Sequence, residues 1–371
     1  MRLNYNLCHK PKTTNLYSSQ IGAVVFLCTL SYKLSSLPGI VSEYLSSSTL
    51  WFYLILSVVD IVEFALLYFF FYDGSDEMLR DKIPYKIGVA ILFVFLSFKC
   101  IGFFAFAVLF FTVELYVGIS PIIIVSILIV PMLYLGLKGV NTLARTAEIL
   151  APIVLAIIVL NLVFLDCHLD FKRNLPVLAL PLKDFALHSI KYGLWLGNFF
   201  PLLFVKVQKK KFPYIFTSVS ITHIITIVAV MVGVAMYGDA MKILGNLLVE
   251  ISGFNQLSTE IGRMEWTALF AVIVMGVIEI SFLFFGLTEC SVRLTRSKYP
   301  AIIVVAMVVV LLSSLLSSPQ VLADLAHTAV VGGIMLGLSL ALPIYFLVVK
   351  AVYRKKDKKT SLNEALTEDR L

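Results

Sequence analysis

Apolar stretches of about twenty residues recur along almost the whole chain, and they restrict the fold more than any other feature. A run of that length matches the hydrocarbon thickness of a bilayer. Inside lipid every backbone polar group must be satisfied within the protein, so such runs become helices. The 371 residues are 60% hydrophobic and 14% charged, with a mean hydropathy of +0.95, which excludes an ordinary soluble domain. The expected class is an all-α membrane protein of ten spans, near 19–44, 50–72, 85–115, 119–136, 147–166, 184–206, 213–237, 264–287, 300–317 and 328–349. Residues 1–18 form an N-terminal segment, 19–350 the membrane domain and 351–371 a basic tail. No apolar run precedes Ile21, so no cleavable signal peptide is expected.

Lysine and arginine set the orientation. With the N-terminus on the cytoplasmic side, 22 of them fall in inner segments and five (Lys172, Arg173, Lys183, Lys242, Arg263) in outer ones. That bias alternates at every loop only if the number of spans is even, and it puts both termini in the cytoplasm. The outer segment Asp239–Gly262 carries an apolar, helically spaced run from Met241 to Ile251. It reads either as an amphipathic surface helix or as a loop helix packed on the bundle.

Two spans are interrupted. The first contains Ser31-Tyr32-Lys33-Leu34-Ser35-Ser36-Leu37-Pro38-Gly39, in which proline removes a backbone donor and serines offer non-helical hydrogen bonds. The sixth contains Lys191-Tyr192-Gly193-Leu194-Trp195-Leu196-Gly197-Asn198-Phe199-Phe200-Pro201. Irregular backbone at membrane depth survives only where protein or a watery cavity surrounds it. Breaks in the first and sixth spans are what a five-plus-five inverted repeat produces, with a binding site between them. Candidate ligand-binding residues are therefore Ser31, Lys33, Ser35, Ser36 and Gly39 from the first break, and Tyr192, Gly193, Trp195, Gly197 and Asn198 from the second.

Charges within spans are costly and mark function or pairing. Lys33 lies in the first break. Asp60 and Glu63, three residues apart, share one helical face, and either can neutralise Lys33. Glu279 is a further counter-charge, expected nearer the inner face. Lys99 stands among Phe98, Phe103, Phe104 and Phe106 with no evident partner. His223 and Lys191 carry weaker signals. The five cysteines have no ligand or CxxC spacing, and neither a metal nor a cofactor is indicated. No nucleophile elbow, zinc-protease motif or phosphate loop is present, so an enzyme is not expected.

Three segments resemble one family: the first break ending Leu34-Ser35-Ser36-Leu37-Pro38; Gly136-Leu-Lys-Gly-Val-Asn-Thr-Leu-Ala-Arg145-Thr-Ala-Glu148-Ile with Pro152; and Gly262-Arg263-Met264-Glu265-Trp266. With ten spans and a short basic tail, the chain is similar to the B subunits of spore germination receptors, within the amino acid–polyamine–organocation transporter superfamily. The resemblance implies a LeuT-like bundle and a small nutrient, usually an amino acid, held between spans one, three, six and eight. It also implies assembly with an A-type membrane subunit and a lipoprotein C subunit in the inner membrane of a spore-forming bacterium. Ser31-Tyr32-Lys33 departs from the Gly-x-Gly break usual in that superfamily. Asn198 and Phe199 follow Gly197 where an acidic residue is common. The function expected is nutrient sensing that triggers germination. A proton- or sodium-coupled amino acid permease is the alternative, and Lys33 either stands in for a coupling cation or binds a ligand carboxylate.

Overall fold

A computed structural model describes residues 16–71, 79, 82–112, 120–165, 167, 169–175, 179–205, 212–255, 264–295 and 328–368. The expected ninth span at 300–317, the Gly262-Arg263 pair and most of the N-terminal segment lie outside the described residues. The described residues are mostly helical: α1 (Ser18–Leu34), α2 (Leu37–Leu45), α3 (Thr49–Phe71), α4 (Ile83–Phe110), α5 (Pro121–Lys138), α6 (Val140–Val163), α7 (Leu182–Ile190), α8 (Phe212–Tyr237), α9 (Leu247–Ser252), α10 (Glu265–Thr295) and α11 (Ala329–Glu368). Among the described residues the one β feature is an isolated bridge between Leu165 and Asn255. Among the described residues, six helical stretches are long and apolar enough to cross a membrane.

The α1 helix is the axis of the bundle. Every residue from Gln20 to Leu34 except Ala23 is buried, as a helix apolar on all sides requires. Its neighbours are α6, α8 and α10, and α4 packs against α10. The α11 helix covers α3, α4 and the 193–195 turn. That contact is close because glycines face each other. A Cβ at Gly193 would run into the Gly332 carbonyl, and one at Gly332 into the carbonyls of Ile190 and Lys191.

Several boundaries differ from the sequence reading. The fifth span begins at Val140 rather than 147, because Gly139 alone (φ 85°) separates it from α5. A left-handed backbone there is accessible to glycine and strained for other residues. The eighth span runs on to Thr295 instead of 287. Residues 351–368, read as a separate tail, continue α11.

The segment after α8 is a packed loop and not a helix lying on a surface. It comprises a 3₁₀ stretch at Gly238–Ile243 and then α9, with Met241, Leu247, Leu248 and Ile251 buried. This segment reaches across to α2 and to the end of α1, so it covers the first break.

Candidate functional site

Pro38 cannot donate to a carbonyl one turn back, and α1 ends at Leu34. Ser35 and Ser36 turn the chain, with Ser35 N–H donating to Ser31 O (3.1 Å), and α2 starts at Leu37. Carbonyls freed by the break are taken up from outside the helix. Tyr53 Oη donates to Lys33 O (2.9 Å), and Leu247 N–H of α9 donates to Ser35 O (2.9 Å).

The second break is longer. After α7 come a turn, a 3₁₀ stretch at Gly193–Trp195, an irregular passage through Gly197 (φ 82°) and a second 3₁₀ stretch at Phe200–Phe204. Side chains from three other helices satisfy its polar groups. Lys99 of α4 donates to the carbonyls of Leu194 (2.7 Å) and Leu196. Gly197 N–H donates to Glu63 Oε2 of α3 (3.0 Å). Asn198 Nδ2 donates to Glu279 Oε1 of α10 (2.6 Å) and to Cys28 O (3.4 Å). The partner of Lys99 is thus the unwound backbone itself. Glu279, placed nearer the inner face by the sequence reading, lies level with both breaks.

Lys33 donates to Asp60 Oδ2, and His223 Nε2 of α8 stands 3.6 Å from the same oxygen. These groups form one dry cluster: Lys33, Asp60, Glu63, Lys99, Asn198, His223 and Glu279 are each at most 4% exposed. It holds two ammonium groups against three carboxylates, so full ionisation leaves a negative charge that one proton would balance. Asp60 Oδ1, Glu63 Oε1 and Glu279 Oε2 have no hydrogen-bond partner among the described residues.

A small cavity, with about 30 Å³ of space open to a water-sized sphere, sits against the first break. Ser31, Tyr32, Ser35 and Ser36 form one wall. Phe110 and Phe111, Leu128 and Met132 of α5, and Val272, Gly276 and Ile280 of α10 form the apolar remainder, and Asn246 of the loop completes it. Among the described residues no charged side chain lines it.

Of the ten candidate ligand-binding residues, Ser31, Ser35 and Ser36 line this cavity. The other seven are engaged elsewhere. Lys33 is in its ion pair, Gly39 abuts the Leu244 carbonyl, and Gly193 meets Gly332. Tyr192 donates to Ile40 O (3.2 Å) and packs edge-on against Phe52, while Gly197 and Asn198 hold carboxylates. Trp195 stacks on Phe103 (centroids 5.1 Å apart), which stacks on Tyr32 (4.7 Å), with Phe106 5.3 Å from Trp195. This aromatic wall stands between the cavity and the second break. The sixth span, expected to contribute to the pocket, supplies none of its lining, whereas the fourth does.

Lys191 lies beside Tyr44 (4.4 Å from the ring), which also stacks on His188 (5.3 Å) at the end of the bundle near α2 and α7. Sequence reasoning missed Tyr32 as a wall, the α5 residues and Asn246. Only the helical spacing of residues 241–251 hinted that the loop would pack inward. Among the described residues no group of three His, Cys, Asp or Glu side chains is placed to hold a metal ion.

No protein-family model matches the chain, and no curated protein matches it. Among solved structures, it is similar to a Na⁺-coupled sialic acid symporter in a substrate-bound, outward-open state. The TM-score is 0.53 at 16% identity, over 88% of this chain and 78% of that one. A likeness at that identity is one of fold; with six helices among the described residues long and apolar enough to cross a membrane, it makes the chain an integral membrane protein that shares the fold of that symporter.

Proposed function

We propose that the chain is a proton-coupled permease for a small nutrient, an amino acid being the substrate class, with the ligand held in the cavity at the first break. The observation that carries this reading is the cavity itself: a space walled by the interrupted helix α1/α2, inside a transporter fold. In this reading the full bundle has ten spans in two inverted halves, and the two breaks occupy corresponding positions.

The buried cluster supports a proton over sodium. Broken helices attract cations to freed carbonyls, but at Leu194 and Leu196 the Lys99 ammonium already occupies that role. The cluster's odd carboxylate then gives a transported proton a place, as intramembrane Asp, Glu and His chains do in pumps and transporters. The test is uptake of labelled L-amino acids by proteoliposomes under an imposed proton or sodium gradient. Accumulation driven by the proton gradient and abolished by a protonophore is expected; accumulation driven by sodium alone overturns the coupling.

A second reading is a nutrient-sensing germination subunit with an A-type and a lipoprotein partner. It is favoured by the Lys99 clasp and the Tyr32–Phe103–Trp195 stack, which fasten the second break and suit a receptor that shifts between states without a full transport cycle. A ligand would act there through its differential affinity for the two states. Co-purification with those partners and binding without uptake would support this reading.

A further inference from the structure

Asn246 precedes α9 in the loop that covers the first break. Its Oδ1 accepts the N–H of Val249 (3.4 Å), capping the short helix. That bond settles which end of the carboxamide is which, because only the oxygen can accept from a backbone donor. The nitrogen therefore faces away from α9. Asn246 is 1% exposed and lines the cavity, yet Nδ2 finds no acceptor among the described residues. A buried donor left without a partner is costly.

The serine hydroxyls across the cavity can turn to donate or accept, but the Nδ2 group can only donate. It therefore selects for an oxygen acceptor on whatever fills the space. The remaining walls fit an apolar body: Gly276 leaves room beside Ser31 Oγ, which lies 4.0 Å from where its Cβ would be, and Met132, Val272 and Ile280 enclose it. The residue after Asn246 is the one whose N–H donates to Ser35 O, so the loop is joined to the broken backbone at this point.

From this geometry we infer that Asn246 is the ligand-reading residue of the covering loop, donating from Nδ2 to a carboxylate or carbonyl oxygen of a small apolar ligand and so fastening the loop over the first break when the site is filled. The inference rests on the small-nutrient reading above and specifies how one of its recognition contacts is made.

The experiment uses the purified full-length chain in nanodiscs with L-alanine, L-valine and L-leucine as probes, followed by calorimetry and thermal stabilisation. The key variant is Asn246→Asp, since aspartate caps a helix as well as asparagine but removes the amide donor. Asn246→Ser, which also caps, serves if that variant does not fold. The wild type should bind at least one probe and show slowed amide exchange across residues 244–252 when it does. The variant should bind that probe about tenfold or more weakly, the loss of one good hydrogen bond, without the exchange effect. Where the probe is leucine, its analogue 3-methylbutylamine, which lacks the carboxylate, should bind the variant no more weakly than the wild type. Equal affinity of variant and wild type for the amino acid overturns the role of Asn246 and leaves the nutrient reading standing. Failure of the wild type to bind any of the three overturns the apolar amino acid reading and this inference with it.

Discussion

Replacing Lys33 by methionine keeps most of the side-chain volume and removes the ammonium, and the structure sets the expected cost. Asp60 is 0% exposed, and one of its oxygens has no partner among the described residues. The other oxygen would be left with His223 Nε2 at 3.6 Å. Removing one partner of a buried ion pair costs about 3–5 kcal/mol, because an uncompensated charge remains in a dry site. That corresponds to a drop of roughly a hundred- to several thousand-fold in the folded-to-unfolded ratio. Lys33→Met/Asp60→Leu removes both charges and should return to within about 1–2 kcal/mol of the wild type, since apolar replacement of a buried pair is often neutral or stabilising. Reversible unfolding in mixed micelles, run as a double-mutant cycle, measures both quantities. If Lys33→Met lies within about 1 kcal/mol of the wild type, water reaches Asp60 and the dry-cluster argument fails. If the double variant is no more stable than the single one, Lys33 acts through packing and not through charge.

Lys99→Met should destabilise the chain by about 3 kcal/mol or more, since two carbonyls each lose a charged donor, and it should increase amide exchange in residues 193–204. Glu279→Gln still accepts from Asn198 while removing the cluster's odd charge; ligand binding should persist and proton-driven accumulation should fall, as separated by equilibrium binding and gradient-driven uptake. Gly276→Leu projects into the cavity where a glycine Cβ would meet nothing nearer than Ser31 Oγ at 4.0 Å, so ligand binding should weaken more than tenfold with little change in the unfolding midpoint.

Both breaks were legible because proline, glycine and serine act locally: each one alters the donors or dihedrals of its own turn. The Lys33–Asp60 pair could be anticipated for a similar reason, as a buried cation needs an anion and α3 offers two on one face. Lys99 was opaque because its partners are backbone carbonyls 95 and 97 positions away, and a carbonyl leaves no mark in the residue alphabet. Trp195 is expected at a midplane site, but its ring stacks on Phe103, which stacks on Tyr32, and the described cavity lies on the α4, α5 and α10 side. Asn246 was hidden because a loop asparagine before a short helix is fully accounted for as a cap, and only burial of its nitrogen shows the second role.

The clasp between Lys99 and the Leu194 and Leu196 carbonyls also has a mechanical side. A side chain anchored on a continuous helix and holding two points of an unwound strand makes α4 and the second break a single lever. When such a bundle changes shape, the second break cannot flex alone; it must carry α4 with it or give up both bonds to the buried ammonium. On the other side the covering loop is joined to the first break by Leu247 N–H donating to Ser35 O and to the end of α2 by Ser46 Oγ donating to Asp239 Oδ1, so the two breaks are fastened separately.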